Sequence, residues 1–485
     1  MFQLSDNNLL KQQALINGQW TDNNKKLPVY NPANGKKIAT VPDMGQEETR
    51  QAIHAAHDAW HLWKKKTAAE RSSLLMHWCD LVLEHQEDLA RLMTAEQGKP
   101  LREASGEVVY GASFIRWYAE EGKRAYGEMI PAVAANTKIM VTREPVGVVG
   151  AITPWNFPVA MMTRKVAPAL SAGCTVVVKP AEDTPLSALA LAELAQRAGI
   201  PAGVLNVVTT GKPSVVGEEL TGNALVRKLS FTGSTDVGKQ LLRQSADVVQ
   251  NVSMELGGNA PFIVFDDADI EQAVQGAMVS KFRNTGQTCI CANRFFVQDA
   301  VYEPFMEAFT VAVKSLSIGS GLEGSFDLGP LINSSAVCKV KKLVADALDH
   351  HATLLTGNHE HPLGGNFIEP VILGEVKPDM QCFQQEIFGP VAPVIRFHNE
   401  QDVIALSNQT RSGLAAYFYA QDLGRVFRVA EALEYGIIGV NEGLVSTEVA
   451  PFGGYKESGI GREGGRYGLD AFFELKYVLL GGLNS

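Results

Sequence analysis

Leu and Ala recur at helical spacing through residues 50–93, with Lys and Glu on the opposite side, and this pattern predicts two amphipathic helices. Beyond them the pattern changes to short β-branched runs alternating with helical ones. Residues 146–152 and 175–179 read as strands. Residues 159–171 and 184–198 read as helices, the second rich in Ala and Leu and opened by Thr184 and Pro185. Residues 204–209, 215–220, 228–231 and 236–244 continue the alternation. Such a βαβ succession predicts a parallel sheet covered by helices on both faces. A second series follows the sequence MELGG at 254–258: strands at 261–265 and 294–298, helices at 268–282 and 302–315, and further strands near 391–397, 415–420 and 436–441. Two α/β domains are therefore expected to meet near residue 256. The polar segment 120–142, which contains Pro131, and the tail 474–480 fit neither series and are read as a β-arm.

The uncharged stretch 145–163 has the length of a membrane span but holds Pro145, Pro154, Asn156 and Pro158, so it reads as strand, loop and helix start. The first thirteen residues have neither a basic segment leading into an apolar one nor an Arg-rich character, and a cytoplasmic location is expected. A length of 485 residues suggests two or three domains. Lys plus Arg number 43 against 53 Asp plus Glu, with no basic stripe, which argues against nucleic acid and anionic membrane as partners. Six cysteines are too few for a disulfide framework, and none has the spacing of a zinc site, so no metal is expected. Each thiol is then either a small core residue or a nucleophile.

No GxGxxG occurs. The nearest candidate for a pyrophosphate site is Phe231, Thr232, Gly233 and Ser234, at a strand end that opens a helix. By itself an ordinary Ser-capped turn is the better reading of it. Lys179 and Glu182, in KPAE after a strand, set a cation and a carboxylate where ligands of α/β sheets bind. Their plain alternative is a solvated pair at a helix start. Cys289 lies in NTGQTCICAN at 284–293, a polar, flexible setting that suits a nucleophile better than a core thiol. Cys291 is either a bystander or a resolving thiol, although a disulfide between residues i and i+2 is geometrically strained. Glu255 stands beside a glycine pair and is a candidate general base; Asn156, in PWNFP at 154–158, is a candidate oxyanion donor. Taken singly, a salt-bridged Glu and an Asn turn are the better readings, and the joint occurrence with Cys289 is the stronger argument. His54, His57 and His61 share one helical face without a carboxylate or thiol to complete a metal set and read as surface; His359 and His361 fall in a polar loop.

Together these residues resemble the aldehyde dehydrogenase superfamily over nearly the whole chain, through PWNFP at 154–158, KPAE at 179–182, FTGS at 231–234, MELGG at 254–258, GQTC at 286–289, EIFGP at 386–390 and PFGG at 451–454. Within it, KFRNTGQTCIC at 281–291 and NEGL at 441–444 are most similar to succinate-semialdehyde dehydrogenases. The resemblance implies a Rossmann-type dinucleotide-binding domain (1–119, 143–255 and, returning, 451–470), an α/β catalytic domain (256–450), and an oligomerisation β-arm (120–142 and 471–485) that builds a homodimer or homotetramer.

It also implies the chemistry. Cys289 would be the nucleophile, Glu255 the general base, and Asn156 with the Cys289 N–H the oxyanion donors. The aldehyde would pass through a thiohemiacetal and a thioester to the acid. Lys179 and Glu182 would hold the adenosine ribose, Gly233 and Ser234 the pyrophosphate, and Trp155, Glu386 and Phe388 the nicotinamide side. Glu182 favours NAD, since a carboxylate repels a 2′-phosphate, with NADP still admissible. Arg164 and Arg283, aided by Ser446 or Thr447, would bind a distal carboxylate. The rival readings are glutarate semialdehyde or a neutral or aromatic aldehyde as substrate, and, more remotely, a non-catalytic protein on the same fold. A CoA-acylating enzyme is disfavoured because Glu255 is present.

Overall fold

The structure is a computed structural model that describes residues 3–483. Positions 1, 2, 484 and 485, the extreme ends of the expected dinucleotide-binding domain and arm, lie outside the described residues.

Two sheets organise the chain. The first runs in the order Gln19–Thr21, Ala14–Ile16, Leu205–Val207, Thr175–Lys179, Val148–Ile152, Val226–Thr232, Asn251–Glu255, Gly459–Ile460. Its five inner strands are parallel and its edges antiparallel, with Gly459–Ile460 returning from the C-terminal region to pair with Met254 and Glu255. Of the four crossover helices, Pro158–Ala172, Pro185–Arg197 and Pro213–Gly222 each have Pro in the first turn, where the missing N–H is unpaired in any helix, and the fourth is Thr235–Ala246. The strands Val148–Ile152 and Thr175–Lys179 are buried at every position, as covering on both faces requires. The second sheet runs Thr353–Thr356, Val371–Gly374, Val391–Phe397, Ala292–Gln298, Ala260–Val264, Ala415–Tyr419, Ile437–Val440, antiparallel only at its first edge. An aromatic core built on Phe262, Phe295, Phe305 and Phe309 packs on this sheet.

The third component is a small sheet in which Phe473–Leu480 pairs antiparallel with Lys138–Pro145 along its whole length, and Glu128–Ile130 adds the other edge. Its middle strand runs on to Pro145 rather than ending at 142. Met129, Leu475, Tyr477 and Leu479 are exposed on it.

The segment expected to hold two helices holds three, Gln46–Trp63, Ala68–Glu84 and Gln86–Gln97, and a fourth, Leu101–Glu121, follows. The break between the second and third is the single residue His85, which ends one helix and begins the next without Gly or Pro to mark it. No helix among the described residues is long and apolar enough to cross a membrane. The His54, His57 and His61 face carries no metal-holding cluster, nor does any other set of described residues.

Candidate active site

In the first sheet the chain leaves Val148–Ile152 toward Thr175–Lys179 on one side, while Val226–Thr232 lies on the other. The carboxyl ends of the two neighbours therefore splay their connections apart and open a crevice, the usual ligand position in such sheets. Two cavities occupy it. One, of about 420 Å³, is lined by Lys179, Glu182, Gly233 and Ser234 among others; the second, of about 290 Å³, by Asn156, Cys289, Glu386 and Phe388. Both share Pro154, Trp155, Thr232, Gly233 and Ser234, so they form one cleft that ends at Cys289. Glu255, Cys291, Arg164, Arg283, Ser446 and Thr447 are not in its walls.

The residues of the cleft fit a dinucleotide. Lys179 Nζ lies 3.0 Å from Glu182 Oε2, the lysine buried and the carboxylate half-exposed. Burial raises the Glu182 carboxyl, but the Lys179 ammonium and a backbone N–H outweigh it and hold the group below its ordinary range. Ser234 is the N-cap residue of the helix Thr235–Ala246, yet its side chain makes no capping bond, which leaves the hydroxyl and the first-turn N–H groups for an anion. Thr232 Oγ1, buried in the cleft wall, has no hydrogen-bond partner. Trp155 and Phe388 meet edge to face at 5.4 Å and form an apolar wall beside Cys289. Glu386 Oε1 accepts from the Gly258 N–H at 3.1 Å, and burial pushes this carboxyl up to about 7.

Cys289 follows a turn whose backbone is held in the left-handed region at three successive residues, Asn284 (φ 52°), Thr285 (φ 56°) and Gly286 (φ 77°). Surrounding bonds impose this geometry. The Asn284 N–H donates to Glu103 Oε2 at 2.7 Å, and its Nδ2 donates to the carbonyls of Asn156 (3.0 Å) and Gln287 (3.2 Å). Thr285 Oγ1 donates to Gly329 O and accepts from Gly329 N–H, each at 3.1 Å. A side chain at Gly258 would place Cβ 2.2 Å from Cys289 O, so the glycine after the second-sheet boundary lets that loop approach the cysteine backbone. Burial pushes the Cys289 thiol up to about 12; the charges of Glu386 and Glu255 add to the effect, and those of Arg164 and Arg283 oppose it. Asn156 Nδ2 donates to Gln287 O at 3.0 Å, which uses one of its two protons, and Asn156 lines the same cavity as Cys289. Cys291 Sγ donates to Lys281 O at 2.9 Å, is buried, and is a free thiol outside the cleft.

Glu255 ends its strand with Oε2 buried and without a hydrogen-bond partner. Burial, and next the negative charge of Glu463, raise its carboxyl well above the ordinary range. Glu463 takes the cations: Lys165 Nζ at 2.5 Å and Arg164 Nε at 3.0 Å. Arg164 is thus paired, with its guanidinium 4.0 Å from the Phe452 ring centre and Nη2 without a partner. Arg283 makes no ion pair among the described residues; its guanidinium stands 4.9 Å from the Phe157 ring centre. The Tyr110 hydroxyl is buried without a hydrogen-bond partner, and burial raises it while the charges of Arg164 and Arg283 oppose the effect; Thr447 Oγ1 turns to Glu448 Oε2 at 3.3 Å. Glu463, Lys165 and Tyr110 were not singled out by the sequence. Glu463 carries the signal that marked Glu255, a glutamate beside a glycine pair, in GREGG at 461–465.

A sequence profile of the aldehyde dehydrogenase family matches residues 20–478. The chain is 59% identical to the succinate-semialdehyde dehydrogenase [NADP(+)] of Escherichia coli strain K12, over 99% of both chains. It is 56% identical to a glutarate-semialdehyde dehydrogenase of Pseudomonas aeruginosa, over 99% of this chain and 100% of the relative. The crystal structure of succinate-semialdehyde dehydrogenase from Burkholderia pseudomallei superposes with a TM-score of 0.98 at 55% identity, covering 99% of this chain and 100% of the other. By its cleft, its sheets and its sequence, the chain belongs to the aldehyde dehydrogenase family.

Proposed function

We propose that this chain oxidises succinate semialdehyde to succinate. The observation that carries the chemistry is one cavity holding the Cys289 thiol, the Asn156 amide and Glu386. In this reading Cys289, as thiolate, attacks the aldehyde carbon, and the oxygen that becomes negative is received by Asn156 Nδ2 and the Cys289 N–H. When bound, the dinucleotide supplies the hydride acceptor, with Lys179, Glu182, Gly233, Ser234, Trp155, Glu386 and Phe388 as its holding residues. The thioester left on Cys289 is hydrolysed by a water whose proton Glu255 takes. The two parallel sheets with their helices serve as dinucleotide-binding and catalytic domains, and the small sheet as the oligomerising arm of a homodimer or homotetramer.

In this reading Arg283, which makes no ion pair among the described residues, receives the distal carboxylate, helped by Ser446 and by Arg164, whose Nη2 has no partner. Arg283→Ala is expected to raise KM for succinate semialdehyde at least tenfold more than KM for a neutral aldehyde of similar size, by the loss of a charge-assisted pair worth about 1.5–3 kcal/mol. Equal effects on both substrates would reject the role. Glutarate semialdehyde is the second reading, favoured by the Pseudomonas relative. It differs by one methylene, so kcat/KM ratios of about 10–200 are the scale on which a panel of aldehydes decides. For the cofactor, the half-exposed Glu182 carboxylate argues for NAD. Initial rates with limiting cofactor should give the higher kcat/KM with NAD, and Glu182→Ser should move the ratio toward NADP; a wild-type preference for NADP would reverse this part of the proposal.

A further inference from the structure

Lys99 and Glu107 form an ion pair at 2.5 Å with both side chains almost wholly buried. A buried pair of this kind is poor value as a stabiliser, because desolvating two charges offsets most of their attraction. What the pair touches explains its place. Lys99 Nζ also donates to the backbone carbonyl of Asn156 at 2.7 Å and stands 3.9 Å from the centre of the Phe157 ring. Glu107 gives its other oxygen, Oε1, to the N–H groups of Val159 (2.9 Å) and Ala160 (3.2 Å), the open first turn of the helix Pro158–Ala172. One ionic bridge thus holds residues 156–160 at both ends. Asn284 Nδ2, donating to the same Asn156 carbonyl at 3.0 Å, connects the bridge to the turn that presents Cys289.

We infer that Lys99 and Glu107 are positioning residues for the oxyanion donor: by fixing the Asn156 backbone they hold its Nδ2 in the orientation that receives the negative oxygen. This rests on the proposed role of Asn156. An amide free to rotate by a few tens of degrees would still bind substrate yet meet the developing charge poorly, and a site of this kind tolerates about 0.5 Å and 10–20° of misplacement. Neither residue touches the cleft, so their effect passes through Asn156.

The test uses the whole enzyme and four variants: Lys99→Met, Asn156→Ala, the two combined, and Lys99→Met/Glu107→Gln, which leaves no lone buried carboxylate where the single change impairs folding. Two reactions of Cys289 are compared. Acylation by aldehyde, read in a single turnover, forms an oxyanion; alkylation by iodoacetamide forms none. Lys99→Met is expected to slow acylation by about 100-fold, the scale of losing one oxyanion donor, with alkylation rate and cofactor affinity unchanged. Asn156→Ala added to Lys99→Met should then cost far less than it does alone, since the amide is already misplaced. Acylation within about threefold of the parent, acylation and alkylation falling together, or multiplying effects of the two substitutions would overturn the inference while leaving the oxyanion reading intact. Unimpaired acylation in Asn156→Ala alone would instead overturn the role of Asn156 and the inference with it.

Discussion

Glu255 is asked to take a proton from water, yet its burial and the nearby charge of Glu463 favour its neutral form. A raised pKa means that the carboxyl is still largely protonated at a pH where an ordinary glutamate is ionised, and a protonated carboxyl cannot act as base. Its useful form therefore grows as pH rises above the ordinary carboxylate range toward the raised value. Thioester hydrolysis should climb with pH over that interval, and Glu255→Gln should remove the limb and let the acyl enzyme accumulate as a mass increase on Cys289. A pH-independent hydrolysis step in the parent enzyme would exclude Glu255 as the base. Cys289 follows the same direction, since burial raises its thiol and favours the neutral form. Glu463 shows how a carboxylate escapes this effect: burial raises it too, but Lys165 and Arg164 outweigh the burial and keep it ionised. At this scale the sequence was legible where a reactive side chain sat in an unusual local setting, as with Cys289 in a polar loop. Lys99 and Glu107 carry no such mark, because a lysine and a glutamate eight residues apart read as surface until the fold buries them.

The turn Arg283–Gly286 is the element that leads into Cys289, the proposed nucleophile, and its three left-handed residues include Thr285, a β-branched side chain that disfavours that region. Each of the two non-glycine residues, Asn284 and Thr285, costs about 1–3 kcal/mol there and persists only when its surroundings dictate it. Here they do, through Glu103, Asn156 and Gly329. Gly286 has no room for a side chain: a Cβ there would lie 2.3 Å from Gly389 O. Gly286→Ala is thus expected to lower the unfolding free energy by about 1–3 kcal/mol and to slow Cys289 alkylation; a melting temperature and alkylation rate equal to the parent's would show the turn to be adaptable. Elements with regular period and marked ends were legible in the sequence, such as the strand Thr175–Lys179 and the helix Tyr302–Lys314. The second and third N-terminal helices were not separated, because one histidine, His85, serves as both end and start.

For the whole molecule, the decisive relation is between the two sheets, which bring Asn156 from one and Cys289 from the other into one cavity. The small sheet leaves Phe473–Leu480 as an unpaired edge with Leu475, Tyr477 and Leu479 exposed, surface that a solitary chain would protect. Leu475→Glu combined with Tyr477→Glu should shift the sedimenting mass toward that of one 52.4 kDa chain, and an unchanged mass would place the assembly contacts elsewhere. The sequence by itself determined the α/β alternation and the strands of the small sheet, and it named the candidate reactive residues, because periodicity and local composition are properties of neighbours along the chain. It named Arg164 and Arg283 as candidate carboxylate ligands only as a pair. Tertiary structure separated them, giving Arg164 to Glu463 and leaving Arg283 without an ion pair among the described residues. Those choices join residues up to 299 positions apart, as 164 and 463 are, and only the folded chain brings such groups within the few ångströms over which charge and hydrogen bonding act.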